Sequence, residues 1–166
     1  MPDHQIFCEA VQSCKSGMYA LAYGIVRSEA DAGDVLQDAI LKAYCSYDQL
    51  QDPAKFKNWI LSIVHNTAVE YLRKRKPAVP MDCISEIRAP GSTSDTDTRI
   101  SVWQAVQSLR QPYRTVIVLY YYDELPVSQI AGVVRSSEAA VRQQLLRGRK
   151  MLAQILHKED FFDENL

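Results

Sequence analysis

Apolar residues recur every three or four positions through the first half of the chain, and they form three stripes. The first is Met18, Leu21, Ala22, Ile25 and Val26; the second is Val35, Leu36, Ala39, Ile40 and Ala43; the third is Phe56, Trp59, Ile60, Ile63, Val64 and Ala68. This spacing predicts three amphipathic helices. Ser28 and the pair Asp52-Pro53 are typical of helix starts, and no strand-like alternation competes with the helical pattern.

The second half contains one stretch whose secondary structure is ambiguous. Val116–Tyr122 reads VIVLYYY, and this β-branched and aromatic composition is also typical of a buried strand. Pro112 suits the first turn of a helix, and no hairpin signal follows, so a buried helix is favoured. A short amphipathic run to Val134, a break at residues 135–137 and a long run to His157 then indicate a helix-turn-helix.

The two helical halves are separated by residues 77–98, PAVPMDCISEIRAPGSTSDTDT. Three prolines, a glycine and a Ser/Thr/Asp cluster disfavour helix and predict a flexible linker. The expected fold is therefore all-α, with two small helical domains joined by this linker, the second a helix-turn-helix. Fully extended, such a linker reaches at most about 75 Å.

Charge is distributed unevenly along the 166 residues, although the net charge is only −1. From Arg135 to Lys150 there are five basic residues and one acid, a local charge of 5 − 1 = +4. Arg73–Lys76 is a second basic run, whereas Glu159–Glu164 contains four acids and no base. Local patches of this kind govern phosphate contact and are hidden by the total.

The composition gives no sign of a metal site, a cofactor or a membrane segment. The cysteines at positions 8, 14, 45 and 83 include no C-x-x-C pair, and three scattered histidines supply no ligand cluster. We expect idle thiols in a reducing compartment, with a redox pair between Cys8 and Cys14 as the alternative. No apolar run is long enough to span a bilayer and no signal peptide is apparent, so the expected location is the cytoplasm.

The second helix of the predicted helix-turn-helix offers hydrogen-bonding groups on one side. Its apolar positions, expected to face the core, are Val141, Leu145, Gly148 and Leu152, and its opposite face carries Arg142, Gln143, Arg147 and Lys150. With Ser137 as N-cap, the front of this helix can enter a major groove, where Arg pairs with guanine and Gln with adenine. The alternative is an ordinary solvated helix face.

Two further polar clusters each allow two interpretations. The cations of Arg73–Lys76 either contact nucleic-acid phosphates or simply complement a helix C-terminus. Asp34, Gln37 and Asp38 share the polar face of the second helix, either as a protein-binding face or as an acidic first turn.

The chain resembles the extracytoplasmic-function sigma factors of RNA polymerase in two stretches. YALAYGIVRSEADAGDVLQDAILKAY, followed by FKNWILSIVHNTAVEYLRKRK, resembles their second region, and LRQPYRTVIVLYYYDELPVSQIAGVVRSSEAAVRQQLLRGRKML resembles their fourth. Both stretches stand in the expected order, with the expected linker between them. The resemblance implies region 2 over residues 1–76, a linker over 77–98, region 4 over 99–158 and an acidic tail over 159–166.

The resemblance also implies roles for individual residues. Core polymerase would dock on Asp34, Gln37 and Asp38. The loop around Asp48–Lys57 and the following helix would hold the melted −10 strand, with Lys55, Lys57, Asn66, Arg73, Lys74, Arg75 and Lys76 as contacts. The −35 duplex would meet Ser137, Glu138, Ala139, Arg142, Gln143, Arg147 and Arg149. Core polymerase, promoter DNA and an anti-sigma factor are the implied partners, with no small-molecule substrate, no membrane insertion and no catalytic residue.

The chain departs from the family pattern at a few positions. Arg135 stands where glycine is usual in the helix-turn-helix turn, so a positive φ there would be strained. His65 replaces a frequent basic residue, and Gln143 and Gln144 stand where Ser and Arg are common. These differences affect the promoter sequence that is recognised.

Two other functions are alternative hypotheses. A DNA-binding regulator that has lost polymerase binding would share the helix-turn-helix, and a pull-down with core polymerase separates it from a sigma factor. An enzyme is the third hypothesis, but the sequence lacks a phosphate-binding G-x-x-x-x-G-K loop, H-E-x-x-H and a nucleophile motif.

Overall fold

The computed structural model of the protein describes residues 3–75 and 102–163, with side chains up to residue 157. Throughout these residues the secondary structure is helical, without a strand, and the helices group on either side of the segment 76–101. The predicted all-α fold with two helical domains is confirmed. The predicted linker, Cys83 and Lys76 lie outside the described residues.

The N-terminal module consists of three helices, α1 (His4–Val26), α2 (Glu29–Ser46) and α3 (Phe56–Lys74). Asp3 caps α1 and Ser28 caps α2, because each side chain accepts a hydrogen bond from a backbone N–H of the first turn. Asp52 accepts from the Ala54 N–H in the same way and starts a 3-10 turn, Pro53–Lys55, that leads into α3.

The core of this module contains residues of all three apolar stripes that the sequence predicts, together with Phe7 and Leu61, which lie outside those stripes. Met18, Leu21, Ile60, Leu61 and Val64 are at most 1% exposed. Burying a side chain of this size contributes about 1.5–3 kcal/mol each, which is what holds the three helices together. Trp59 is half-buried and packs against Phe56 and Tyr47 at the edge of this core.

The C-terminal module begins with a helix over residues 102–108, called α4 here. It continues with α5 (Tyr113–Ile117), a π-helical turn (Val118–Tyr122), α6 (Val127–Val134) and α7 (Glu138–Asp163). The stretch VIVLYYY is therefore helical, as favoured, rather than a strand. Residues 116–119 are buried as predicted, whereas Tyr121 and Tyr122 are about half exposed. Gly148 lets α7 approach α5 closely, because a Cβ there would lie 3.1 Å from Cγ1 of Ile117.

The two modules are in contact within the described residues. Helix α6 packs on α3, while α5 and the π-helical turn pack on α1. No helix of the described residues is long and apolar enough to cross a membrane.

Candidate nucleic-acid interface

The helix-turn-helix is formed by α6, a tight turn and α7. Arg135 ends α6 in the left-handed region, with φ 55° and ψ 52°. The N–H groups of Arg135 and Ser136 both donate to the carbonyl of Ala131, which closes the turn. Ser137 then caps α7 by accepting a hydrogen bond from the Ala140 N–H, at 3.1 Å.

The first turns of α7 expose to solvent the residues that are predicted to contact the −35 duplex. Ser137, Glu138, Ala139, Arg142 and Gln143 are all exposed. On the opposite side Val141 and Leu145 are buried, at 0% and 2% exposure. Arg142 donates to Glu138 at 3.0 Å in an ion pair that spans one helical turn. The front of the helix thus offers one cation, one carboxylate and one amide at neighbouring positions.

Arg147 and Arg149, further along α7, lie against tyrosines of the same module. The Arg149 guanidinium donates to the Tyr121 hydroxyl at 2.7 Å and lies over the rings of Tyr120 and Tyr121. A hydrogen bond from Arg147 lowers the pKa of the Tyr113 phenol. Both cations are exposed but held in place, which suits fixed phosphate contacts better than base reading.

In the N-terminal module, the predicted single-strand contacts lie along α3 and just before it. Lys55 is exposed in the preceding 3-10 turn, and Lys57 in the first turn of α3. Asn66 is half-buried beside His65, whose pKa is lowered chiefly by burial and also by the charge of Arg135. His65 is therefore neutral at pH 7 and supplies no phosphate-binding charge.

The basic end of α3 is partly neutralised within the module. Lys74 forms an ion pair with Glu70 at 2.9 Å, and Arg75 pairs with Asp31. Lys42 also contacts Glu70, and the two lysines lower the pKa of that carboxyl to about 2. Arg73 forms no ion pair within residues 3–75 and 102–157.

The predicted protein-binding face lies on α2. Asp34, Gln37 and Asp38 are exposed along one side of the helix, and Asp38 pairs with Lys42 at 3.1 Å. Leu41 extends the same face and is 62% exposed, although it is not among the residues predicted for that face. Its position off the apolar stripe of α2 was the available signal, because a leucine outside the stripe that faces the core is expected to be exposed.

The comparisons with known proteins cover both modules. Residues 10–77 match the family described as Sigma-70 region 2, and residues 99–152 match Sigma-70, region 4. The RNA polymerase sigma factor SigV of Bacillus subtilis is 31% identical over 150 residues, which cover 88% of each chain. The chain belongs to the sigma-70 family and is a sigma factor of the extracytoplasmic-function type.

Further similarities agree with this assignment. The sigma factor SigW of Bacillus subtilis, described as of the same type, is 28% identical over 165 residues, covering 90% of this chain and 88% of its own. Among solved structures, the sigma factor RpoE in complex with the anti-sigma factor NepR from Bartonella quintana has a TM-score of 0.75 at 19% identity, covering 91% of this chain and 96% of its own. CnrH in complex with the cytosolic domain of CnrY has a TM-score of 0.68 at 21% identity, covering 95% of this chain and 91% of its own. These two likenesses concern the fold.

As a sigma factor of this type, the protein serves in transcription initiation, where such factors act as regulatory subunits of RNA polymerase. Its helix-turn-helix differs from the family pattern in the turn, where Arg135 adopts the positive φ that glycine usually supplies. The four-residue basic run at the end of α3 also carries less free charge than its sequence indicates, since Glu70 and Asp31 occupy two of its cations.

Three cysteines lie in the described residues, and none of them forms a disulfide. Cys8 and Cys45 are exposed, Cys14 is buried, and all three are free thiols. Within the described residues no group of three His, Cys, Asp or Glu side chains is arranged to hold a metal ion.

Proposed function

We propose that this sigma factor recognises its promoters through two separate surfaces, one for each DNA form. The exposed front of α7, from Ser137 to Gln143, reads the −35 duplex, while Arg147 and Arg149 contact its backbone. The observation that supports this division is the matched pair of regions, each on its own helical module. Residues 1–76 are proposed as region 2, 77–98 as the linker, 99–158 as region 4 and 159–166 as an acidic tail.

The −10 element is proposed to be held as a single strand along α3. Lys55, Lys57, Asn66 and the basic residues from Arg73 to Lys76 contact this strand, with Arg73 supplying the charge that no acidic side chain of the described residues offsets. Cations along a strand bind its phosphates without regard to sequence, so base selection falls to the loop that precedes α3.

Core polymerase is proposed to dock on α2 through Asp34, Gln37, Asp38 and Leu41. A protein surface of this composition combines polar groups that fix orientation with an apolar side chain that loses water on contact. The protein acts in the cytoplasm and has no catalytic activity of its own. An anti-sigma factor is a further proposed partner, since a solved structure of similar fold contains a sigma factor in complex with one.

The experiment that tests this function is transcription in vitro on fragmented genomic DNA. Core polymerase alone is compared with core polymerase plus the protein, and the transcripts are sequenced. New start sites that share two upstream elements are expected only when the protein is present. A protein that fails to bind core polymerase in a pull-down, or that adds no start site, would contradict the proposal.

A further inference from the structure

Three residues other than glycine have a positive φ in the described part of the chain, and two of them are exposed arginines. These residues are Arg27, Glu124 and Arg135. Arg135 has φ 55° and ψ 52° in the turn between α6 and α7, a position where the family usually has glycine. A residue with a Cβ atom is disfavoured in this region, because the Cβ comes too close to the following carbonyl oxygen. The turn is therefore built on a residue that is poorly suited to its backbone geometry.

No ion pair within residues 3–75 and 102–157 offsets this cost. Arg135 is exposed and has no acidic side chain within salt-bridge distance among these residues. Its charge instead acts on His65 of α3, whose pKa is lowered first by burial and then by this cation. A histidine offers no negative charge to an arginine. The guanidinium of Arg135 is thus a solvent-exposed cation without a partner in the described part of the chain.

The helix ends on either side of the turn do not account for a cation at this position. Arg135 follows the last residue of α6, and the C-terminal end of a helix favours positive charge. It also lies two residues before Ser137, which caps the start of α7, and that end of a helix disfavours positive charge. The two effects oppose each other, and at an exposed site each is smaller than the cost of a left-handed conformation. The stability of the turn therefore does not explain why arginine stands here.

Arg135 adjoins the part of α7 that is proposed to enter the major groove. The exposed residues at the front of that helix include Ser137, Glu138, Arg142 and Gln143. An α-helix with its side chains is about 10–12 Å across and the major groove is about 12 Å wide, so the helix fills the groove. Residues just before its first turn then lie beside the phosphates that form the groove wall. A guanidinium there can donate to phosphate oxygens, a geometry that suits arginine.

We propose that the Arg135 guanidinium binds a backbone phosphate of the −35 duplex and adds a contact that glycine at this position could not make. The inference rests on the proposed function, which identifies the duplex as the ligand of the helix-turn-helix. The strain in the turn then accompanies a functional contact. A phosphate contact positions the protein on the duplex and carries no sequence information. Arg135 therefore contributes to the affinity for any duplex, whereas Arg142 contributes to the choice of sequence.

Arg135→Gly removes this contact without disturbing the turn, because glycine adopts a positive φ freely. Arg135→Lys keeps the charge. Arg27→Gly is the matched control, since it makes the same change at an exposed arginine with φ 58° that ends α1, outside the helix-turn-helix. Fluorescence anisotropy measures binding of the full chain to two labelled duplexes between about 50 and about 200 mM salt. One duplex carries the upstream element shared by the start sites found by transcription in vitro, and the other carries a scrambled sequence of the same composition.

Arg135→Gly is expected to weaken binding to both duplexes by the same factor and to reduce the slope of log affinity against log salt by about 0.9. Its deficit relative to the wild type then shrinks about 3.5-fold across this fourfold range of salt. Arg135→Lys keeps the slope, and Arg27→Gly matches the wild type in affinity and slope.

An unchanged slope for Arg135→Gly, or an equal loss for Arg27→Gly, overturns the phosphate contact. A loss confined to the duplex that carries the upstream element also overturns it, because such a loss indicates base recognition. If the wild type binds neither duplex, the proposed function of α7 fails and the contact fails with it. Duplex binding by the wild type therefore separates a failure of this inference from a failure of the proposed function.

Discussion

Arg135 adopts a left-handed backbone conformation that is unfavourable for any residue with a Cβ atom. The turn between α6 and α7 needs a left-handed residue so that two N–H groups can reach the carbonyl of Ala131. The family resemblance predicted the position, because glycine is usual there. The structure shows that Arg135 has a positive φ, and Arg27 at the end of α1 has a similar φ of 58°.

Replacing Arg135 with glycine should stabilise the protein. The left-handed conformation costs an L-residue about 1–2 kcal/mol, which glycine would avoid. Glycine also raises the conformational entropy of the unfolded state, and this offsets part of the gain in stability. We expect the free energy of unfolding to rise by about 0.5–1 kcal/mol, measured by urea denaturation. Arg135→Ala is the control, since it removes the side chain and keeps the strain. An equal gain for alanine, or a loss for glycine, would contradict the prediction.

Arg142 is the residue whose loss should damage −35 recognition most directly. It is exposed at the front of α7 and its only ion pair in the described residues is with Glu138. Arg142→Ala is expected to weaken binding to a −35 duplex by about 1–3 kcal/mol if the side chain contacts a base. Gel-shift titration measures this, with Lys15→Ala on the exposed side of α1 as a control of equal charge change. Unchanged affinity for Arg142→Ala would rule out the base contact.

At the scale of elements, periodicity in the sequence predicts most of the helices because each buries one apolar face. The stripes of α1, α2 and α3 and the helix-turn-helix are examples, and so is the helical state of VIVLYYY. The π-helical turn at Val118–Tyr122 was beyond prediction, since it depends on how α5 meets its neighbours. The close approach of Asp123 to Gly17 in α1 could not be predicted either, because neither local sequence indicates a contact with a residue so distant in the chain.

Helix α3 allows a prediction about which cations contact DNA. Changing Arg73–Lys76 to alanine should lower open-complex formation at every promoter and flatten its salt dependence. Among single changes, Arg73→Ala should reduce the slope of log affinity against log salt by about 1. Lys74→Ala should reduce it less, because Glu70 already neutralises that charge. Salt titrations of open-complex formation measure both, and an equal or larger effect for Lys74→Ala would refute this ranking.

Asp123 gives the interface between the modules a pH dependence. Burial raises the pKa of its carboxyl from 3.8 to about 6, an effect that the charge of Lys57 partly offsets. The folded state therefore favours the protonated acid, and its stability falls as pH rises through about 6. Relative to Asp123→Asn, the wild type should gain about 1.4 kcal/mol in unfolding free energy between pH 8 and pH 5, because pH 5 lies about one unit below the folded pKa.

Urea denaturation of both proteins at the two pH values measures this difference. The comparison is needed because the lowered pKa of His65 acts in the opposite direction, destabilising the fold as pH falls. Both proteins retain His65, so its contribution cancels. A difference that does not change with pH would show that Asp123 is not the group responsible.

At the scale of the whole molecule, the proposed function requires the two modules to reach two promoter elements at once. The −10 and −35 elements lie roughly 50–60 Å apart along the duplex if about one and a half helical turns separate them. A 22-residue segment over 77–98 reaches at most about 75 Å, which suffices for both modules to bind at once.

A footprint of core polymerase on a promoter that the protein activates tests the central claim most directly. With the protein present, we predict two protected segments about one and a half turns apart. The upstream segment stays duplex, and the downstream segment is melted and contains permanganate-reactive thymines. Arg142→Ala should lose the upstream protection first. A single protected segment without reactive thymines, or the same footprint with core polymerase alone, would contradict the account.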